Sequence, residues 1–414
     1  MRNVLTFILA GGKGERLNPL TKDRAKPAVP FGGIYRIIDV TLSNCINSGL
    51  RRIFILTQYK SFSLQKHLLS GWMDIVSSQL GEFIDLIPAQ QRVSSDWYLG
   101  TADAIYQNMY AISDHDPHHI LILAGDHVYK MNYGEMFEVY KKLDADVVVS
   151  CIPMPAETST LFGVIEVDDE FRVVGFQEKP KNPKTIPGQP DKILASMGIY
   201  LFRRESLCEA LELDAENPDS HHDFGKNIIP QMIQNNRRVY AFNFVDPTGE
   251  PGYWRDIGTR DAYYQANMDL VRPEPLFNIH DKKWPIRTNH MQYPPIKAVS
   301  MKGGNGQIFD TSVINSLVAG GCILEGARIE GSILSPNVRV GCKSEVMNSV
   351  IMNNVTIGED VQIKNAIIDK EVVIPPGVKI GYDLENDRKR FDVTTSGVVI
   401  LEKRQPIKTP KTKL

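Results

Sequence analysis

Val4-Leu5-Thr6-Phe7-Ile8-Leu9-Ala10 runs directly into Gly11-Gly12-Lys13-Gly14-Glu15-Arg16-Leu17, then Pro19-Leu20-Thr21 and Arg24-Ala25-Lys26-Pro27. Seven apolar or β-branched residues followed by a glycine turn read as a buried strand whose carboxyl end opens into a loop. That is where ligands sit in α/β sheets. Gly11, Gly12 and Gly14 let the backbone approach a polyphosphate and aim N–H groups at it, while Arg16 and Lys26 can neutralise charge developing on a transferred phosphorus. The loop is not a Walker motif, because it lacks both the G-x-x-x-x-G-K spacing and the following Ser or Thr. Nor does the apolar run read as a signal peptide: it is too short to cross a bilayer and has no small-residue cleavage pattern.

Outward from this strand, apolar runs at Ile53–Thr57, Ile120–Ala124 and Val147–Cys151 alternate with helix-compatible stretches at Asp39–Ser48 and Ala102–Ile112. This alternation predicts an α/β domain, Rossmann-like with a mostly parallel sheet, over residues 1–271. Residues 272–300, rich in Pro, Trp and Tyr, read as an ordered connector. In 301–414 the chain repeats. Leu317, Leu334, Ile351 and Ile368 lie 17 apart, as do Ile323, Val340, Ile357 and Ile374, and Ile329, Val346, Ile363 and Ile380. Three apolar steps per 17-residue turn predict a parallel β-helix, whose coils bury their apolar residues only by stacking. Such flat faces suit subunit packing or regulation.

The chain has 414 residues, more than one hydrophobic core usually supports, so two domains are expected. A formal net charge of -2 gives no basic field for nucleic acid, so phosphate must be recognised by local placement of cations and N–H groups. Five scattered cysteines without C-x-x-C spacing fit buried thiols in a reducing, cytoplasmic setting, and no run predicts a membrane span.

G-G-x-G-x-R-L-x-P-L-T with R-A-K-P resembles the signature of the sugar-1-phosphate nucleotidyltransferases. Further motifs narrow the resemblance to the bacterial ADP-glucose pyrophosphorylase branch. These include Pro88-Ala89-Gln90-Gln91-Arg92, Trp97-Tyr98, Gly100-Thr101-Ala102-Asp103-Ala104, Ala124-Gly125-Asp126-His127, Phe176-Gln177-Glu178-Lys179-Pro180, Ala195-Ser196-Met197-Gly198, Asp223-Phe224-Gly225 and Tyr253-Trp254-Arg255-Asp256-Ile257-Gly258-Thr259. The resemblance covers nearly the whole chain. It implies a left-handed β-helix, a homotetramer, and transfer of the adenylyl group of ATP to glucose 1-phosphate in an α-glucan pathway. Glu15 departs from the wider superfamily, which often has Thr there.

In such a transfer the sugar phosphate attacks the α-phosphorus in line, so alignment and charge neutralisation matter more than a covalent nucleophile. Asp126, just after the strand Ile120–Ala124, suits Mg²⁺, a hard cation that favours carboxylate oxygen. By resemblance Asp256 is the second carboxylate. Tyr98, Gly163, Glu178, Lys179 and Ser196 are the implied glucose 1-phosphate contacts, and Gln90 joins the glycine loop at the nucleotide. Gln58 and Trp97 resemble positions linking regulation to catalysis.

Arg24, Arg36, Lys370 and Lys403 match basic positions of an effector site expected between the two domains in the fructose 1,6-bisphosphate-activated branch. That branch has Lys where this chain has Asp23 and His where it has Pro30. A carboxylate against an incoming phosphate should cost affinity, so AMP, phosphate or another sugar phosphate is the expected effector. Three alternatives remain at this stage: a UTP or dTTP enzyme, an added acyltransferase, and a non-catalytic regulatory subunit. Acyl transfer usually needs a histidine base, and none follows His290; Arg16, Lys26, Asp126 and Lys179 are all present, which favours turnover.

Overall fold

The computed structural model describes residues 1, 3–90, 97–246 and 248–408. By packing, the chain forms two compact units, Met1–Gly12 with Val40–Trp254, and Lys13–Asp39 with Arg255–Leu414. This division differs from the linear boundaries expected at residues 271 and 300. The segment 13–39 packs with later chain: Tyr263 donates from its hydroxyl to the carbonyl of Pro30 at 2.6 Å, Gly32 N–H donates to Asn267 at 3.0 Å, and Thr288 donates to Asp39 at 2.6 Å. The last of these bonds joins residue 288, within the segment 272–300, to Asp39.

The first unit is built on a nine-stranded sheet. Its main path runs Val173–Glu178, Gly163–Val167, Lys192–Arg203, His119–Ala124, Val4–Leu9, Arg52–Thr57 and Phe83–Pro88. Val4–Leu9 lies parallel to both neighbours, and Arg52–Thr57 pairs parallel with Phe83–Pro88. Val4–Leu9 and Arg52–Thr57 are nearly continuous buried runs, as expected where both faces of a parallel sheet are covered, whereas Phe83–Pro88 at the end of the path exposes Asp85. Lys192–Arg203 lies antiparallel to His119–Ala124 and to Val147–Pro155. The helix expected at Ala102–Ile112 is two helices, Thr101–Tyr106 and Met109–His115. At the break, buried Asn108 donates its side-chain amide to the Ala104 carbonyl and to the Tyr98 hydroxyl, a local bond that competes with helix continuation.

In the second unit three parallel sheets stack coil on coil. One contains Ile323–Glu325, Arg339–Val340, Thr356–Ile357 and Val373–Ile374. Val346 aligns with Ile329 and Ile363, and Ile363 with Ile380, which is the expected 17-residue register. The other two series slip by one in the first coil: Leu324, not Ile323, aligns with Val340, and Val318, not Leu317, with Leu334. That coil is one residue shorter, and a one-residue slip exchanges inward and outward side chains. Each corner turns through one left-handed residue per coil, as at Gly326, Lys343, Asp360 and Gly377. Buried serines tie successive coils together, Ser332 accepting from Ser349 N–H and Ser349 from Ala366 N–H.

All five cysteines are unpaired thiols, with Cys45, Cys151 and Cys322 buried. Among the described residues no helix is long and apolar enough to cross a membrane.

Candidate active site

In the first unit, the candidate nucleotide residues Gly11, Gly12 and Gln90, the candidate metal ligand Asp126 and the candidate regulatory residue Gln58 follow neighbouring parallel strands. Gly11 and Gly12 lie just beyond Val4–Leu9, Gln58 follows Arg52–Thr57, Gln90 follows Phe83–Pro88, and Asp126 follows His119–Ala124. Parallel pairing therefore brings the carboxyl ends of four strands to one edge. A Cβ at Gly11 would lie 3.2 Å from Gln58 Cβ, so these loops are in close approach. The Asp126 carboxylate, 29% exposed, stands 3.6 Å from His127 Nε2. Trp97 stacks on Tyr59 with ring centroids 5.5 Å apart, while Gln91 and Arg92 lie outside the described residues.

Of the expected sugar-phosphate residues, Gly163, Glu178 and Ser196 lie on the antiparallel part of the sheet, Lys179 just beyond it, and Tyr98 ahead of the helix Thr101–Tyr106. Gly163 faces Glu178 across a strand pair, and a Cβ there would lie 2.5 Å from Phe176 Cζ and 3.4 Å from Glu178 Oε2. Lys179 adopts a left-handed backbone (φ 48°), donates its N–H to the Phe162 carbonyl, and holds its Nζ 3.3 Å from Glu178 Oε1. Both side chains remain open to solvent. Ser196 sits where Lys192–Arg203 shifts register against Val147–Pro155, and Gly198 follows at φ 65°. Burial raises the Tyr98 phenol above its ordinary pKa, partly offset by the hydrogen bond from Asn108.

The remaining catalytic candidates belong to the second unit. Gly14 is left-handed (φ 65°), and a Cβ there would meet Lys26 Cβ and Thr21 Cγ2, each at 3.1 Å. Thr21 closes the turn by donating to the Gly14 carbonyl at 2.8 Å. The loop thus presses on Lys26, which is nearly buried and places Nζ 3.4 Å from Asp256 Oδ1. A Cβ at Gly258 would meet Asp256 Oδ2 at 2.9 Å and Arg16 Nη2 at 3.5 Å, so the exposed Arg16 and the carboxylate share one small neighbourhood.

All four basic candidates for effector binding also fall in this unit. Arg24 donates from Nη2 to Asp369 Oδ2 at 2.5 Å, with both side chains almost wholly buried. Lys370 is pushed down to about 8, chiefly by burial and then by Arg36 and Arg24, with a smaller contribution from Lys403. Arg36 is pushed down to about 10 by burial, against the nearby Asp39. A small pocket is lined by Lys22, Asp23, Arg24, Asp369, Glu402 and Lys403, with Pro19.

Sequence reasoning gave no role to several neighbours of these residues. Asn108 holds Tyr98, and Asp223 accepts from the Thr101 hydroxyl at 3.0 Å. Trp254 packs edge-on to His127 and beside Phe162. The motifs containing Asp223 and Trp254 were visible in the sequence, but their partners are distant along the chain.

A nucleotidyl transferase family model matches residues 5–272, and a GlmU-like, C-terminal hexapeptide model matches 294–401. A glucose-1-phosphate adenylyltransferase from Koribacter versatilis is 50% identical over 97% of this chain and 95% of its own length. One from Nitrosococcus oceani is 49% identical over 97% and 94%. Glucose-1-phosphate adenylyltransferase 2 of Vibrio cholerae is 47% identical over 97% and 98%.

Proposed function

The chain belongs to the glucose-1-phosphate adenylyltransferases, a branch of the nucleotidyl transferase family, and from that membership we propose that it converts ATP and glucose 1-phosphate into ADP-glucose and pyrophosphate. The observation that carries the reading is Lys26 held 3.4 Å from Asp256 beneath a glycine loop that also supplies Arg16. Arg16 and Lys26 neutralise charge on the polyphosphate, and the N–H groups of Gly11, Gly12 and Gly14 approach it closely. Lys179 binds the sugar phosphate, and Glu178 accepts from sugar hydroxyls, with Tyr98, Gly163 and Ser196 bounding the sugar. Gln90 faces the adenine nucleotide. Aligning the two phosphates for in-line attack is the chain's main contribution.

Asp126 and Asp256 are the proposed Mg²⁺ ligands. Both carboxylates are about one-third exposed, which leaves their oxygens accessible to a hydrated cation. That suits Mg²⁺, which keeps several waters and commonly takes one or two protein carboxylates alongside substrate phosphates. When bound, the ion neutralises charge on the phosphate oxygens.

The product would feed glycogen or another α-glucan, and the assembly would be a homotetramer. Anionic metabolites would regulate turnover through Arg24, Arg36, Lys370 and Lys403, with Gln58 and Trp97 relaying the signal. The internal Arg24–Asp369 pair and the carboxylate of Asp23 oppose a doubly phosphorylated ligand, which favours AMP, phosphate or another sugar phosphate over fructose 1,6-bisphosphate.

Pyrophosphate release with glucose 1-phosphate and ATP, UTP or dTTP tests the reaction. The expected result is turnover chiefly with ATP. Equal rates with UTP would overturn the adenylyl assignment, and no turnover with any of the three would overturn catalysis.

A further inference from the structure

The segment 220–225, which carries none of the sugar contacts proposed above, is hydrogen-bonded to one of the arms that do and packs closely against the other. His222 is left-handed (φ 51°), an uncommon conformation for a side chain of its size. Its Nδ1 lies 2.8 Å from Asp214 Oδ2, and that carboxylate is almost fully buried. Ser220 donates to the other oxygen of Asp214 at 2.6 Å and accepts from His222 N–H at 2.9 Å. One buried carboxylate therefore locks the turn from two directions.

The locked turn presents its carbonyl to the Tyr98 arm. His222 O accepts from Ala102 N–H at 2.8 Å, and a Cβ at Gly100 would stand only 2.2 Å from it. Thr101 bridges to the Asp223 carboxylate and to Phe224 N–H. On the other side, Cβ atoms built at Gly163 and Gly225 would both lie under 3 Å from Phe176 Cζ, so the ring is clamped between them two residues before Glu178.

We infer that His222, held by Asp214, is a positioning residue that sets the Tyr98 arm and the Gly163–Glu178 arm at their working separation for glucose 1-phosphate. Its imidazole makes no proposed contact with substrate and acts through the backbone it fixes. The inference rests on assigning the sugar phosphate to these arms.

His222→Gly isolates the side chain, because glycine keeps the left-handed backbone without strain while the bond to Asp214 is lost. The expected result in the full-length enzyme is a rise of about tenfold in KM for glucose 1-phosphate, the scale of one lost charge-assisted hydrogen bond, with KM for ATP within about twofold of wild type. His222→Asn, which tolerates the same backbone and retains a donor, should recover most of that loss. An unchanged KM for glucose 1-phosphate in His222→Gly, equal rises in both KM values, or no recovery in His222→Asn would each overturn the inference. Lys179→Ala, measured in parallel, separates the two readings. If Lys179→Ala raises KM for glucose 1-phosphate and His222→Gly does not, only the positioning role falls; if neither raises it, the sugar-side assignment falls as well.

Discussion

A methyl group added at Gly163 would press on the Phe176 ring and approach the Glu178 carboxylate, so the smallest side-chain change there reaches the sugar face. Gly163→Ala should raise KM for glucose 1-phosphate by about tenfold with little change for ATP, since disturbing ground-state contacts to one substrate has that kinetic form. Steady-state kinetics with each substrate varied in turn checks this; a selective rise in KM for ATP would contradict it. At Asp126 the volume can be kept while the charge is removed. Asp126→Asn should lower kcat/KM by about 100-fold or more while the circular dichroism spectrum and melting temperature stay near wild type, because the carboxylate's role is proposed to be Mg²⁺ binding. Near-normal rates at saturating Mg²⁺ would remove Asp126 from the metal site.

At the scale of elements, the β-helix shows what periodicity conveys and where it stops. Ile363 is fully buried between Val346 and Ile380 in a 17-residue register legible from the sequence. Ile363→Ala should cost about 2–5 kcal/mol, seen as a lower melting temperature, with KM for both substrates nearly unchanged. An unchanged melting temperature would mean that this stack does not limit stability. The slip to Leu324 and Val318 was not legible, because adjacent apolar pairs satisfy either register until the coil's length is known. In the first unit the strands Val4–Leu9 and His119–Ala124 announced themselves as apolar runs, and the glycine loop followed from them. The break at Gln107–Asn108 did not, since it goes with the Asn108 side chain bonding back to the Ala104 carbonyl and across to Tyr98, which residue spacing does not reveal. Likewise, the apolar pattern of 13–39 does not reveal its packing against Tyr263 and Asn267, more than two hundred residues downstream.

For the whole molecule, the effector role proposed for Arg24, Arg36, Lys370 and Lys403 predicts a pH-dependent response to anions. Burial and the neighbouring cations hold Lys370 near 8, against an ordinary value of 10.5. Below about pH 8 the folded protein carries this charge at an electrostatic cost; above it the proton is lost. Between about 8 and 10.5 the unfolded chain retains more protons at this residue, so this group's contribution to stability rises with pH across that window. A bound anion favours charged Lys370 and raises its pKa, so anion binding should take up a proton near pH 8. The half-saturating concentration of AMP or phosphate should therefore increase by several-fold, roughly three to ten, as pH rises from about 7 to 9. Lys370→Arg, charged throughout that range, should flatten the dependence while leaving the rate without effector close to wild type. Initial rates with AMP, phosphate and fructose 1,6-bisphosphate, each titrated at several pH values, make the comparison. A flat profile in the wild type, or an equally steep one in Lys370→Arg, would detach Lys370 from effector binding. Activation mainly by fructose 1,6-bisphosphate, indifferent to Asp23→Lys, would overturn the proposed effector preference, because that substitution reverses the charge facing the phosphate.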